Sequence, residues 1–413
     1  MVKPWDTATI GDFLDFKNGL NKGKEFFGHG TPIVNYTDVY KKRGLMKNDV
    51  CGKVSLTSDE IHRFDARKND VFFTRTSETP EEVGMSSVLL ENIDDCVFSG
   101  FVLRGRPKND MLVPEYCKYC FTTEAVRSAI IMGCTYTTRA LTNGKQLSAI
   151  EIAVPPKPEQ KAIAQSLTEI DELISSLKKL ITKKKAIKQG AIQELLTGKR
   201  RLPGSSGEWE TFVFGDLFDF ISNNAFTRAQ LSVSGKVKNI HYGDILTKFG
   251  TYISADSNEI PYIKKEIDLS RFAEKCYLQS GDVVIADTAE DETVGKALEV
   301  INVECPVLAG QHTLLCRPKV RFAVKFLGYY LNAARYHNQL LPFIVGTKVS
   351  SISKASIAQT RLVVPRYEEQ QAISTILSDM DDEIAELEQK LAKYRQVKQG
   401  MMQQLLTGKI RIL

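Results

Sequence analysis

Long apolar runs are missing from this 413-residue chain. No stretch approaches the roughly 20 apolar residues that a membrane-spanning helix needs. No apolar stretch follows the opening Met1-Val2-Lys3-Pro4-Trp5-Asp6 either, so neither a secretory leader nor a membrane role is expected, and a cytoplasmic location is. Cysteine is sparse, with eight residues, several in apolar surroundings such as Cys96-Val97-Phe98. That usage suits a reducing compartment better than a disulfide framework. Cys117-Lys118-Tyr119-Cys120 is the single CxxC and has no second ligand pair at related spacing, so no zinc site is expected.

Catalytic signatures are missing too. No GxxxxGK[ST] phosphate loop occurs, which argues against an ATPase. An amino-methyltransferase would carry a [D/N]-P-P-[F/Y] loop, but Pro155-Pro156 stands between Val154 and Lys157. Phe26-Phe27-Gly28-His29-Gly30 matches an F-x-G-x-G string, yet in a polar loop without a clear βαβ context. The five histidines, His29, His62, His241, His312 and His337, show no ligand-like spacing, and no G-x-S-x-G elbow surrounds a serine. A non-catalytic protein is expected. Its formal net charge of +5 permits nucleic acid as a partner without requiring it.

What is present is a repeat. Glu159-Gln160-Lys161-Ala162-Ile163 returns as Glu369-Gln370-Gln371-Ala372-Ile373, Lys188-Gln189-Gly190 as Lys398-Gln399-Gly400, and Leu195-Leu196-Thr197-Gly198-Lys199 as Leu405-Leu406-Thr407-Gly408-Lys409. Each pair is 210 residues apart. The preceding segments repeat more loosely: Trp5 with Trp209, Asn35-Tyr36 with His241-Tyr242, Asp70-Val71 with Asp282-Val283, and Arg106-Pro107 with Arg317-Pro318. Their offset drifts from 204 to 212, so loop lengths differ between the copies. Nearly identical helices imply one job done twice, and globules with a shared frame but different loops imply two related targets.

Between the repeated blocks, Ile163, Leu167, Ile170, Ile174, Leu177 and Ile181 alternate steps of four and three, a heptad seam. Ile373, Leu377, Met380, Ile384, Leu387 and Leu391 repeat it. Prolines stop each pattern upstream, and Gly198 and Gly408 stop it downstream. Each helix is then about 60 Å long at about 1.5 Å per residue, and so narrow a seam calls for a partner helix. Both helices begin acidic and end basic. Antiparallel pairing would place Lys183 and Lys185 near Glu383 and Asp382, and Glu169 near Lys398. Past Ile181 the stripe shifts to Ile187, Ala191 or Ile192, and Leu195, where each helix end is expected to pack on a globule.

Short β-rich runs between polar loops predict a mixed α+β globule in each copy. Loops combining hydroxyl, basic and aromatic side chains can hold phosphates and reach base edges. The candidate DNA-binding residues are Tyr36, Thr74, Arg75, Thr76, Ser77, Tyr136, Thr138 and Arg139 in the first copy. In the second they are Tyr242, Thr288, Thr347, Lys348, Ser350 and Ser351.

The doubled E-Q-x-A-I, K-Q-G and L-L-T-G-K blocks, with Ser350-Ser351-Ile352-Ser353-Lys354 leading to Val363-Val364-Pro365, resemble type I restriction–modification specificity subunits over essentially the whole chain. The resemblance implies two target-recognition domains, 1–155 and 201–365, and two helical segments, 156–200 and 366–413. The fold class is thus α+β, with two mixed α/β domains separated by two long antiparallel coiled-coil helices in a pseudo-twofold repeat. It further implies that each domain reads half of a split, asymmetric site in double-stranded DNA, with helix length setting the spacing. Two modification (methyltransferase) subunits would dock on the helices, and restriction subunits could join them. No cofactor is expected on this chain, since S-adenosylmethionine, ATP and Mg²⁺ would bind the partners. Asp287 stands where the first copy has Arg75, so the reading loops cannot be equated residue by residue. Two other readings are a DNA adenine methyltransferase with fused recognition domains, which the missing [D/N]-P-P-[F/Y] loop opposes, and a coiled-coil scaffold without a DNA role, which DNA binding would exclude.

Overall fold

In the computed structural model, which describes residues 5–346 and 348–412, the strand Val71–Thr74 is buried on both faces. Successive strand side chains point to opposite sides. Val71 and Phe73 therefore enter one hydrophobic core with Val88 and Leu103, while Phe72 enters another with Leu89 and Val102. Val283–Ala286 does the same in the second copy, with Val283 and Ile285 on one side and Val284 and Ala286 on the other.

Each of these strands is the centre of a five-stranded sheet. In the first copy the order is Leu14–Asn18, Val102–Pro107, Val71–Thr74, Ser86–Leu89, Gly44–Leu45. In the second it is Phe218–Ile221, Thr313–Pro318, Val283–Ala286, Ala297–Ile301, Tyr252–Ser254. Both sheets are antiparallel except for the last pair, which is parallel. A salt bridge braces each sheet at the same place. Arg106 donates to both oxygens of the buried Asp70, at 2.9 and 2.7 Å, and Arg317 does so to Asp282, at 2.9 and 2.7 Å. These are the repeated Asp-Val and Arg-Pro dipeptides, and bidentate geometry makes the pairing strong.

Two helices of 39 residues, α1 (Lys157–Leu195) and α2 (Tyr367–Leu405), carry the repeated blocks. The chain forms two compact units, residues 1–178 with 389–413, and residues 179–388. The units are divided within the two long helices. Each unit holds one globule, the start of one helix and the end of the other.

The reason lies in the repeated residues. In the first unit Ile163 and Leu167 of α1 share a core with Leu405, the last residue of α2, and Leu406 just beyond it, which sit among Phe13, Leu103 and Tyr116 of the globule. In the second, Ile373 and Leu377 share one with Leu195 and Leu196. Buried Gln160 fixes the start of α1: its amide donates to the carbonyls of Pro155 and Met111 and accepts from the Val113 N–H. Gln370 repeats the lock with Pro365 and Ala323. Within the last block of each copy Gly198 and Gly408 stand at φ of 70° and 69°, where a left-handed residue closes each helix. A Cβ on Gly408 would stand 3.2 Å from the Trp5 ring and press on it, so space as well as backbone conformation favours glycine there.

Antiparallel pairing is seen inside each unit. Lys398 bonds Asp171 in the first unit, and Lys188 bonds Asp381 in the second. Lys184 meets Glu383 and Lys185 meets Glu388, both at 2.6 Å. The expected partners were displaced by a few residues, because only positions flanking the seam face the other helix. Glu169 instead accepts from Gln165 one turn away on its own helix. Ile170, Ile174, Leu177, Ile181, Ile384 and Leu391 are buried, while Met380 and Leu387 are half-buried. Ile187 is exposed, but Ala191, Ile192 and Leu195 pack against the core of the second globule as the shifted stripe predicts, with Leu196 beside them.

Candidate nucleic-acid interface

In the first unit, the strand Thr76–Ser77 pairs with Ala140–Leu141, which pairs in turn with Thr135–Tyr136. Arg75 links this small sheet to the large one: its N–H donates to the Phe101 carbonyl at 2.9 Å and its carbonyl accepts from Thr142 at 3.0 Å. Candidates more than fifty residues apart thereby meet on one surface. Tyr136, Thr138 and Arg139 are exposed on the hairpin, while Arg75 and Thr76 are half-buried beside it. Thr74 faces inward with no exposure; its hydroxyl donates to the Glu82 carbonyl and accepts from the Met85 N–H. A side chain so enclosed holds the loop and is not available to DNA. Ser77 is also buried, donating to Glu82 Oε2 at 3.2 Å.

Tyr36 opens the short helix Tyr36–Lys41, whose start is stabilised by Asp38 accepting from the Asn35 N–H. One turn on, Tyr40 stacks on Tyr36, with centroids 5.8 Å apart and rings 14° from parallel. The two rings, Ser77, Glu82, Phe101 and Arg139 line an open cavity of about 480 Å³. Sequence reasoning missed Tyr40, Glu82 and Phe101. Only the exposed aromatic beside a loop rich in hydroxyls could have signalled them.

The second unit uses the same frame. Thr288–Ala289 pairs with Ser350–Ser351, with Thr288 opposite Ser351. The Asp287 N–H donates to the His312 carbonyl at 3.1 Å and its carbonyl accepts from Ile352 at 2.9 Å. Asp287 thus occupies the place of Arg75, and His312 that of Phe101. Tyr242, at the start of the helix Tyr242–Thr247, meets the His312 ring edge to face at 5.2 Å. Thr288 Oγ1 donates to Asp287 Oδ1 at 2.8 Å and lies 3.4 Å from His312 Nδ1. His312 has a φ of 55°, a strained value for a non-glycine residue. Lys348 is exposed, Ser350 and Ser351 are half-buried, and Thr347 lies outside the described residues. Sequence spacing gave no reason to single out His312.

Hydroxyls, guanidinium groups, an imidazole and aromatic faces are suited to holding phosphates and reading base edges. Cys117 and Cys120 belong to a hydrophobic core, where burial pushes the Cys120 thiol well up. Among the described residues no cluster of His, Cys, Asp and Glu is arranged to hold a metal ion, and no helix is long and apolar enough to cross a membrane.

The family model for the type I restriction modification DNA specificity domain matches residues 2–189 and again 206–396. The type I restriction enzyme MjaVIII specificity subunit of Methanocaldococcus jannaschii is 22% identical over 99% of this chain and 93% of its own. The EcoKI specificity subunit of Escherichia coli is 24% identical over 44% of this chain and 39% of its own. In fold, the chain is similar to the type I S subunit from M. genitalium, with a TM-score of 0.57 at 14% identity over 97% and 96% of the two chains. It is also similar to the HsdS subunit from Thermoanaerobacter tengcongensis, with a TM-score of 0.50 at 16% identity over 98% and 97%. A frame built twice, and matched twice by one family over nearly its whole length, places this chain in the type I restriction–modification DNA specificity family, the non-catalytic DNA-recognition component of those systems.

Proposed function

We propose that the chain reads a split, asymmetric site in double-stranded DNA, one half with the globule in 1–155 and the other with that in 201–365. The observation that carries this reading is one frame bearing different side chains: the same backbone bonds hold Arg75 and Phe101 in one unit and Asp287 and His312 in the other. Equal frames suit equal poses on DNA, and unequal side chains suit unequal base sequences. In the first half Tyr36, Arg75, Thr76, Tyr136, Thr138 and Arg139 contact DNA. In the second Tyr242, Thr288, Lys348, Ser350 and Ser351 do, and Thr347 is a further candidate.

The helical segments 156–200 and 366–413 dock two modification subunits, to which restriction subunits add, and helix length sets the spacing of the half-sites. S-adenosylmethionine, ATP and Mg²⁺ are bound by those partners, in the cytoplasm. Replacing Trp209 to Pro365 by the matching segment of a relative, followed by selection of bound duplexes from a random pool, tests the reading. One half of the recognised sequence should change. A change in both halves would mean the globules do not read independently.

A further inference from the structure

The Tyr36–Tyr40 cavity contains a carboxylate held in place from two sides. Tyr40 Oη donates to Glu82 Oε1 at 2.7 Å, and Ser77 Oγ donates to Oε2 at 3.2 Å. Glu82 ends a one-turn helix, Pro80–Glu82, whose proline presets the backbone. The carbonyl of Glu82 is held in turn by buried Thr74. Each carboxylate oxygen has one donor and keeps a further lone pair for another. The bond to Glu82 also holds the Tyr40 phenol above the usual tyrosine range, keeping its proton as a donor.

A fixed carboxylate turned toward DNA is repelled by phosphates, so among the groups of DNA its remaining lone pairs are met by donors on base edges. In the major groove such donors are the exocyclic amino groups of cytosine (N4) and adenine (N6). Arg139 on the same cavity supplies donors of the kind that guanine O6 and N7 accept. Phe101, 56% exposed, and the tyrosine pair supply apolar surface that can exclude water from such a bond. From this geometry we infer that Glu82, oriented by Tyr40 and Ser77, is a specificity-determining residue that requires a base with an exocyclic amino group, cytosine foremost, in the half-site read by the first unit.

The inference rests on the proposed DNA reading and adds its chemistry. It also predicts an asymmetry. Gly84 and Gly295 make the same backbone bond, to Thr74 and Ala286. The residue two before each is Glu82 in one copy and Thr293 in the other, and the Thr293 hydroxyl is engaged by Asp291. The carboxylate requirement therefore belongs to one half only.

The test uses the full chain assembled with its modification subunits. Duplexes selected from a random pool by the wild-type complex define the site. Each cytosine of the first half is then replaced by 2-pyrimidinone and each adenine by purine, which removes only the amino group. One replacement should weaken wild-type binding about ten- to one-hundred-fold. Glu82→Ala should abolish the preference at that position and the added penalty of the analogue, leaving the second half-site unchanged as a check on folding. Tyr40→Phe, which keeps the carboxylate but not its orienting bond, should weaken the preference partially. If every analogue binds as tightly as its parent, or if Glu82→Ala keeps every base preference, the inference is overturned while the DNA reading stands. Absence of any sequence selection by the wild type would overturn both.

Discussion

Arg411 grips Glu159 from 252 residues away, with Nε to Oε1 at 2.5 Å and Nη2 to Oε2 at 2.6 Å. Trp5 Nε1 donates to the same carboxylate at 3.0 Å, and the guanidinium lies over the Trp5 ring at 5.2 Å. Arg201 grips Glu369 in the second unit, at 2.7 and 2.8 Å, and lies over Trp209 at 5.9 Å. The clamp joins the beginning of one helix to the segment following the other, which accounts for the repeated glutamate.

The clamp predicts an acid sensitivity of the first unit. Burial alone would push the Glu159 carboxyl up, but the Arg411 and Trp5 hydrogen bonds outweigh it and hold the carboxyl below its usual 4.5. A depressed carboxyl stabilises the fold above that value, and the contribution is lost as pH falls through the folded-state value. In Glu159→Gln the melting temperature at pH 7 should drop by about 3–8 °C and its acid dependence should flatten. Calorimetry between pH 3 and 7 checks both.

Glu299 predicts the opposite slope in the second unit. Its buried carboxylate accepts from the N–H groups of Lys325 and Gly328 at 2.7 and 2.8 Å, yet burial outweighs them and raises it to about 7 from 4.5. The folded state then keeps a proton that the unfolded chain loses above about pH 4.5. Stability from this group is complete below that pH and declines as pH rises towards 7. Denaturant titrations of Glu299→Gln should lack the decline. An unchanged slope would show that Glu299 is not its source.

Lys188 and Asp381 predict a charge-pair coupling. Lys188→Glu and Asp381→Lys should each destabilise the second unit, and the double exchange should recover part of the loss. Partly exposed pairs of this kind couple by about 0.2–1 kcal/mol. A double-mutant cycle in urea measures that coupling directly, and a value of zero would reduce the pair to solvated charge.

Leu406 is fully buried in the first globule's core. Leu406→Ala should cost about 2–5 kcal/mol, the range for a buried leucine truncated to alanine. The loss should appear in amide exchange of the first sheet, such as Val71–Thr74, and not in Val283–Ala286. Equal loss in both would mean the leucine acts globally.

Much of this organisation is legible in the sequence because it is periodic. A 210-residue offset announces two copies, and a four-three spacing from Ile163 to Ile181 announces a helix wanting a partner. Charge order along the helices is enough to choose antiparallel pairing, since that order decides which charges lie side by side in either orientation. Individual ion pairs are not legible, because one residue turns a helix by about 100° and carries Glu169 off the face that Asp171 occupies.

The reading surface is another matter. Thr74 and Arg75 are neighbours of similar promise in sequence. Thr74 is enclosed because Val71–Thr74 runs between two cores, whereas Arg75 emerges where that strand ends. Tyr40, Glu82 and Phe101 belong to three segments that only sheet pairing brings to one cavity. The shifted stripe tells that each helix end packs on a globule, but not that Leu405 and Leu406 enter the core of the one begun at residue 5. Hydrophobic burial is indifferent to distance along the chain, so such contacts are decided by tertiary packing, while local spacing and repetition are written in the sequence itself.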